Sequence, residues 1–206
     1  MQYNLIQMKL AHSILLVLFV LLLDQVSKIY IKTHFLYGEE VEVFSWFKFN
    51  FIENKGMAWG TEIPGQYGKI ALTAFRIIVV PCIGYWLWDS IRKGGSIYLK
   101  IAISLIFAGA IGNIIDSVFY GVIFDESTST HVASAFAPAQ YGTWFHGRVV
   151  DMFYFPIFSG VFPTWVPVWG GEEFRFFNAI FNIADVAIST GVGILIFFNK
   201  KSFGTN

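Results

Sequence analysis

The sequence predicts an all-α membrane protein: four transmembrane helices carrying a small extracytoplasmic β-element, with both termini cytoplasmic. Three observations predict it. Apolar runs of spanning length recur along the chain, lysine and arginine gather on one set of flanks, and one connection alternates polar and apolar residues. Composition agrees: the 206 residues are 55% hydrophobic, 19% aromatic and 14% charged, with a mean hydropathy of +0.59. Soluble domains carry about 25% charged residues. Net charge is zero, so no basic excess points to a nucleic-acid partner. Cys82 is the sole cysteine, and the four histidines (His12, His34, His131, His146) show no i, i+3 or i, i+4 pair suited to a metal. Neither a metal nor a cofactor is expected.

Apolar runs near the ~20 residues needed to cross a bilayer lie at about 10–31, 70–88, 99–121 and 177–198. The first lacks the small-residue cleavage pattern of a signal peptide and is expected to remain as a span. All of 1–206 reads as one domain. Short flanks hold Lys9, Arg92, Lys93, Lys100, Lys200 and Lys201 against the acid Asp89, whereas the longer connections 32–69 and 122–176 hold Glu39, Glu40, Glu42, Asp125, Glu126, Glu172 and Glu173. By the positive-inside rule the termini are cytoplasmic and the long connections face outward.

Within the first outer connection, residues 41–51 alternate apolar and polar, the signature of a strand. The second is aromatic and proline-rich, with Phe162, Pro163, Trp165, Pro167 and Trp169 close together, a composition suited to the membrane interface. Its Ser/Thr/Ala stretch 127–139 reads as a flexible insertion.

Ionisable groups inside spans are costly and mark function. Asp24, the pair Asn113 and Asp116, and the pair Asn182 and Asp185 all fall roughly 7–12 Å from the outer boundary at ~1.5 Å rise per residue. Both pairs are i, i+3, so each projects from one helical face, where the amide can hold its neighbouring carboxylate. Asp151 sits in an apolar stretch, Arg148-Val149-Val150-Asp151-Met152-Phe153, ahead of the last span. By itself it reads as a surface carboxylate. Beside Asp185 it would complete an acid pair sharing one proton, able to activate water with one carboxyl and protonate a carbonyl oxygen with the other.

Two other functions compete. A proton- or ion-coupled transporter would need polar groups through the full thickness, but the inner halves of the spans offer only the isolated Ser104 and Thr190. A lipid-binding scaffold would account for the aromatics but not for the acids.

Five blocks, taken in order, resemble the lipoprotein-specific type II signal peptidases. They are Asp24-Gln25-Val26-Ser27-Lys28, Asn54-Lys55-Gly56-Met57-Ala58-Trp59-Gly60, Gly112-Asn113-Ile114-Ile115-Asp116, Val149-Val150-Asp151-Met152-Phe153 and Phe181-Asn182-Ile183-Ala184-Asp185. The resemblance implies four helices beneath a β-cradle in a bacterial cytoplasmic (inner) membrane. It also implies cleavage of diacylglyceryl-modified prolipoproteins on the N-terminal side of the lipidated cysteine. Asp151 and Asp185 match the catalytic aspartates, and Asp24, Asn54, Asn113 and Asn182 match residues that line and order the site. Gly56 and Ala58 would keep the outer loop close-fitting. The expected substrate-binding set is Asp24, Lys28, Asn54, Gly56, Asn113, Asp116, Arg148 and Asn182. The partners implied are prolipoprotein signal peptides and membrane lipid.

The chain departs from the family in two respects. Ser117 stands where an arginine usually follows the third-block aspartate, and the segments 121–149 and 151–185 are longer than usual. A cation is therefore expected to replace the missing one. Arg76, ~9 Å deep in the second span, is favoured as a partner for Asp116, with Arg148 as the alternative.

Overall fold

The computed structural model describes residues 8–54 and 68–203. Helix α1 spans Leu10–His34, uninterrupted by glycine or proline. Its buried residues Ser13, Val17, Val20, Asp24, Lys28 and Ile31 recur at helical spacing, while Leu15, Leu18, Phe19 and Leu22 are exposed. The apolar face points outward and the charged face inward, the arrangement required when the solvent is lipid.

Helix α2 (Gly68–Arg92) and helix α3 (Ile97–Ile115) follow, and the Ser96 hydroxyl caps α3 by accepting from Leu99 N at 3.1 Å. Helix α3 runs into a π-helical turn, Asp116–Tyr120, and a last turn α4, Gly121–Ile123. Helix α5 (Ile183–Phe197) packs closely along α3. Glycine makes this possible, because a Cβ at Gly109 would collide with the Ala184 carbonyl oxygen. Gly109→Val should therefore push the two helices apart and cost at least ~2 kcal/mol, measurable as a fall in thermal midpoint in detergent. An unchanged midpoint would show that the contact is not tight.

Among the described residues, three helices are long and apolar enough to cross a membrane, over Leu10–His34, Ile70–Arg92 and Ile97–Ile123; α5 is a shorter apolar helix. The expected fourth span at 177–198 is thus corrected at its N-terminal end. Residues 177–182 are not helical, strand β6 occupies Ile180–Phe181, and the helix starts at Ile183 behind its Asn182 cap. A phenylalanine-rich strand is as hydropathic as a helix, so hydropathy alone extends the span into it. Asn182 accordingly lies at the helix terminus, with Asp185 in the first turn.

Past Phe198, helix α6 (Asn199–Phe203) returns to the start of α3, where Ser96 Oγ donates to Ser202 O at 3.1 Å. At the same end, Lys100 Nζ donates to Met8 O at 3.3 Å.

At the opposite end lies an antiparallel sheet ordered β1 (Glu40–Phe44), β2 (Phe47–Asn54), β3 (Val149–Tyr154) and β6. Residues 41–51, expected as one strand, form a hairpin that reverses at Ser45 and Trp46. The turn has none of the Gly, Asn or Asp residues that usually mark one, and it is held by Trp46 stacked between Phe44 and Phe155. Strands β4 (Phe158–Val161) and β5 (Glu173–Phe176) form a separate hairpin. The stretch 127–139, expected as a flexible insertion, is tied to the fold at several points: Ser127 is buried, Ala135 bridges to Phe124, and Asp125 accepts from Ser134 N at 2.7 Å. Ile31, Phe51, Tyr120, Phe124, Val150 and Met152 form the core that seats the sheet on the bundle.

Candidate active site

Buried carboxylates and amides meet where the sheet rests on α1, α3 and α5. Strand β3 presents Asp151, which is 2% exposed. Its Oδ1 accepts from Asn182 Nδ2 at 2.6 Å and its Oδ2 from Asn54 Nδ2 at 3.3 Å. Asp185 is set by a reciprocal cap: its N–H donates to Asn182 Oδ1 at 3.0 Å, and its Oδ2 accepts from Asn182 N at 3.3 Å. Its other oxygen accepts from Asn113 Nδ2 at 3.0 Å.

Asn182 therefore touches both acids, since its amide nitrogen serves Asp151 while its oxygen and backbone serve Asp185. The expectation that each amide steadies its own i, i+3 neighbour is corrected in one pair. Asn113 crosses to Asp185 instead of holding Asp116, because α3 and α5 approach closely enough for inter-helix bonds to replace local ones.

Burial, and next the neighbouring Asp185 charge, push the Asp151 carboxyl up to about 7; the Asn182 amide, Lys28 and Asn54 pull the other way. Near neutral pH this acid retains a proton for a substantial part of the time.

Beneath the acid pair lies a charge cluster centred on Lys28, whose side chain is fully buried. Its Nζ is 2.9 Å from Asp24 Oδ2, 2.8 Å from Asp116 Oδ2 and 2.9 Å from Asn113 Oδ1. Asp24 Oδ1 also accepts from Ala184 N at 2.9 Å, tying α1 to the first turn of α5. Asp116 is thus paired with Lys28, a cation that the sequence reading did not assign to it. The second span also brings the Arg76 guanidinium within electrostatic reach of both Asp185 and Asp116. Arg148 turns away from the acids to Glu53 (3.0 Å) and Glu126 (2.6 Å). Ser117, where the family arginine is missing, donates to Asn113 O at 2.8 Å.

Of the expected set, Asp24, Lys28, Asn54, Asn113, Asp116, Asn182, Asp151 and Asp185 converge. Gly56 and Ala58 lie outside the described residues. Gln25 belongs to the site although the sequence assigns it no role: its amide nitrogen donates to Asp24 at 3.0 Å and Asp116 at 2.9 Å, and its oxygen accepts from Tyr120 at 3.2 Å. Its place directly after Asp24, within a run of aliphatic residues, was the available signal.

An acid pair braced by amides at the junction of a helical bundle and a sheet is the arrangement of a membrane-embedded aspartic hydrolase. Comparison with known proteins narrows the class. Residues 16–199 match the family described as Signal peptidase (SPase) II. The lipoprotein signal peptidase of Porphyromonas gingivalis is 48% identical over 88% of this chain and 79% of its own length. That of Amoebophilus asiaticus is 35% identical over 90% of this chain and 76% of its own length. A solved bacterial membrane enzyme, obtained by the in meso method at 1.9 Å resolution, superposes with a TM-score of 0.62 at 27% identity, covering 97% of this chain and 99% of that one. The chain belongs to the signal peptidase II family and is a membrane protease.

Proposed function

We propose that this single-domain protein spans the bacterial inner membrane four times, with both termini cytoplasmic. There it removes signal peptides from diacylglyceryl-modified prolipoproteins, cutting on the N-terminal side of the lipidated cysteine with Asp151 and Asp185 as the catalytic pair. The bridging of both carboxyls by Asn182 is the observation that carries this reading. It brings two acids under one amide while burial keeps Asp151 protonated into the neutral range.

In the reaction, ionised Asp185 takes a proton from water as the water oxygen attacks the scissile carbonyl. Protonated Asp151 gives its proton to the carbonyl oxygen, yielding a gem-diol. On collapse Asp151 recovers a proton from one hydroxyl, Asp185 protonates the leaving amine, and the C–N bond breaks. Asn54, Asn113 and Asn182 hold the carboxyls, while Asp24, Lys28 and Asp116 lock α1, α3 and α5 beneath them. The fourth crossing is the span 177–198, of which α5 is the helical part, and Lys200 and Lys201 on α6 just beyond it face the cytoplasm.

Cleavage of a diacylated prolipopeptide by the purified protein tests substrate and chemistry together. Acyl chains that stay in the bilayer hold the scissile bond at the depth of the acids, and each buried methylene contributes about 0.8 kcal/mol. Four methylenes are thus worth about two-hundredfold, so kcat/KM for the unlipidated peptide should be lower by at least about that factor. Equal rates for the two peptides would remove the lipid from the mechanism.

A further inference from the structure

A second buried charge cluster lies beside the acid pair and takes no part in the chemistry above. Lys32, at the outer end of α1, forms an ion pair with Glu53 of β2, and their side chains are 0% and 1% exposed. Ser127 joins them, accepting from Lys32 Nζ at 2.9 Å and donating to Glu53 Oε1 at 3.0 Å. Arg148 binds the other Glu53 oxygen at 3.0 Å and reaches Glu126 at 2.6 Å. The Tyr141 ring lies 4.8 Å from both Lys32 Nζ and the Arg148 guanidinium carbon, and its hydroxyl accepts from Arg148 N at 2.7 Å. The long segment between α4 and β3 is therefore gripped at 126–127, at Tyr141 and at Arg148, with Glu53 at the centre.

The neighbour of Glu53 gives this grip a use. Successive strand residues point to opposite faces, so while Glu53 faces the clamp, Asn54 faces Asp151 and donates to it. The β2–β3 ladder changes register between Phe49 and Ile52, then pairs Ile52 with Asp151, Glu53 with Val150 and Asn54 with Val149. A bulge uncouples the pairing on its two sides, so the register at the Asn54 end must be set locally. We propose that Glu53, held by Lys32, Ser127 and Arg148, is a positioning residue that fixes the end of β2 so that the Asn54 amide stays on Asp151. The inserted segment is then a brace for the catalytic strand. This inference rests on the assignment of Asp151 as a catalytic acid.

The test measures cleavage of the diacylated peptide by the full-length protein across pH. In Glu53→Gln, kcat should fall about tenfold through the displaced Asn54 amide, with KM within about twofold. An amide donor favours the ionised carboxyl, so displacing Asn54 should move the alkaline limb of the kcat profile to higher pH. The charged groups around Asp151 remain as they were: Asp185 on α5 and Lys28 on α1, with Asp116 of the π turn and Arg76 of α2 beyond them. Asn54→Ala should give the same limb shift, and Glu53→Gln/Asn54→Ala should be no worse than Asn54→Ala alone. Should Glu53→Gln fail to fold, Ser127→Ala, which keeps every charge, should shift the limb the same way by a smaller amount.

Wild-type kcat and limb position in whichever of these variants folds, or effects of Glu53→Gln and Asn54→Ala that multiply, would overturn the positioning role. Asp151→Asn separates the two levels of failure. If it is inactive while the clamp variants behave as wild type, only this inference falls, whereas an active Asp151→Asn removes the catalytic assignment itself.

Discussion

Replacing either Asp151 or Asp185 with asparagine is expected to abolish cleavage, by about a thousandfold or more, while leaving the protein folded. Asparagine keeps the size and much of the hydrogen bonding of each carboxyl but cannot take up and release a proton. The wild type should lose activity as pH rises through about 7, because Asp151 then ionises beside Asp185 and no acid remains to protonate the carbonyl oxygen.

Stability should move with the same group. The Asp151 carboxyl has a folded-state value near 7, above its ordinary 3.8, so ionising it opposes folding. Its contribution is most favourable below the ordinary value and is lost as pH rises toward and past 7. Asp151→Asn removes that penalty, and at pH 8 its thermal midpoint should equal or exceed that of the wild type. An inactive Asp151→Asn protein with a clearly lower midpoint at pH 8 would show that the side chain serves folding first. Near-normal turnover by either asparagine variant would exclude that aspartate from the pair.

The second large effect falls on folding. Lys28→Met should cost about 3–5 kcal/mol, because it leaves Asp24 and Asp116 buried together without the ammonium that bridges them. The damage should spread, since Lys28 also holds Asn113, which in turn holds Asp185. Little folded protein should be recovered in detergent. Adding Asp116→Asn removes one orphaned charge and should restore part of the yield without wild-type activity. A Lys28→Met protein with the wild-type thermal midpoint would mean that the two carboxylates are neutralised by another route.

Much of this was legible in the sequence for physical reasons. Lipid-facing helices must be apolar along their length, so α1, α2 and α3 announced themselves by hydropathy. Carboxylates are too costly inside spans to be scattered, so a shared depth singled out Asp24, Asp116 and Asp185. What escaped depends on local or distant detail that hydropathy averages away. The start of α5 turns on Asn182 as a cap, and the β1–β2 reversal turns on a Ser-Trp pair that carries no turn signal. The partner of Lys28 was missed because the bond that matters joins α1 to α3, with Asn113 standing 85 positions further on. Lys32 and Glu53 were invisible for the same reason: a lysine at a helix end and a glutamate in a strand each look like ordinary surface residues until the chain brings them together.

The π turn at Asp116–Tyr120 can be viewed as bookkeeping of angle. An α-helical residue advances the chain by about 100°, and a π turn accommodates one residue more than an α turn would. Asp116, at its start, aims at Lys28, while Tyr120, at its end, reaches Gln25 and joins the core under the sheet. One surplus residue thus lets a single helix satisfy two fixed bearings, the first toward its neighbours in the bundle and the second toward the sheet above it.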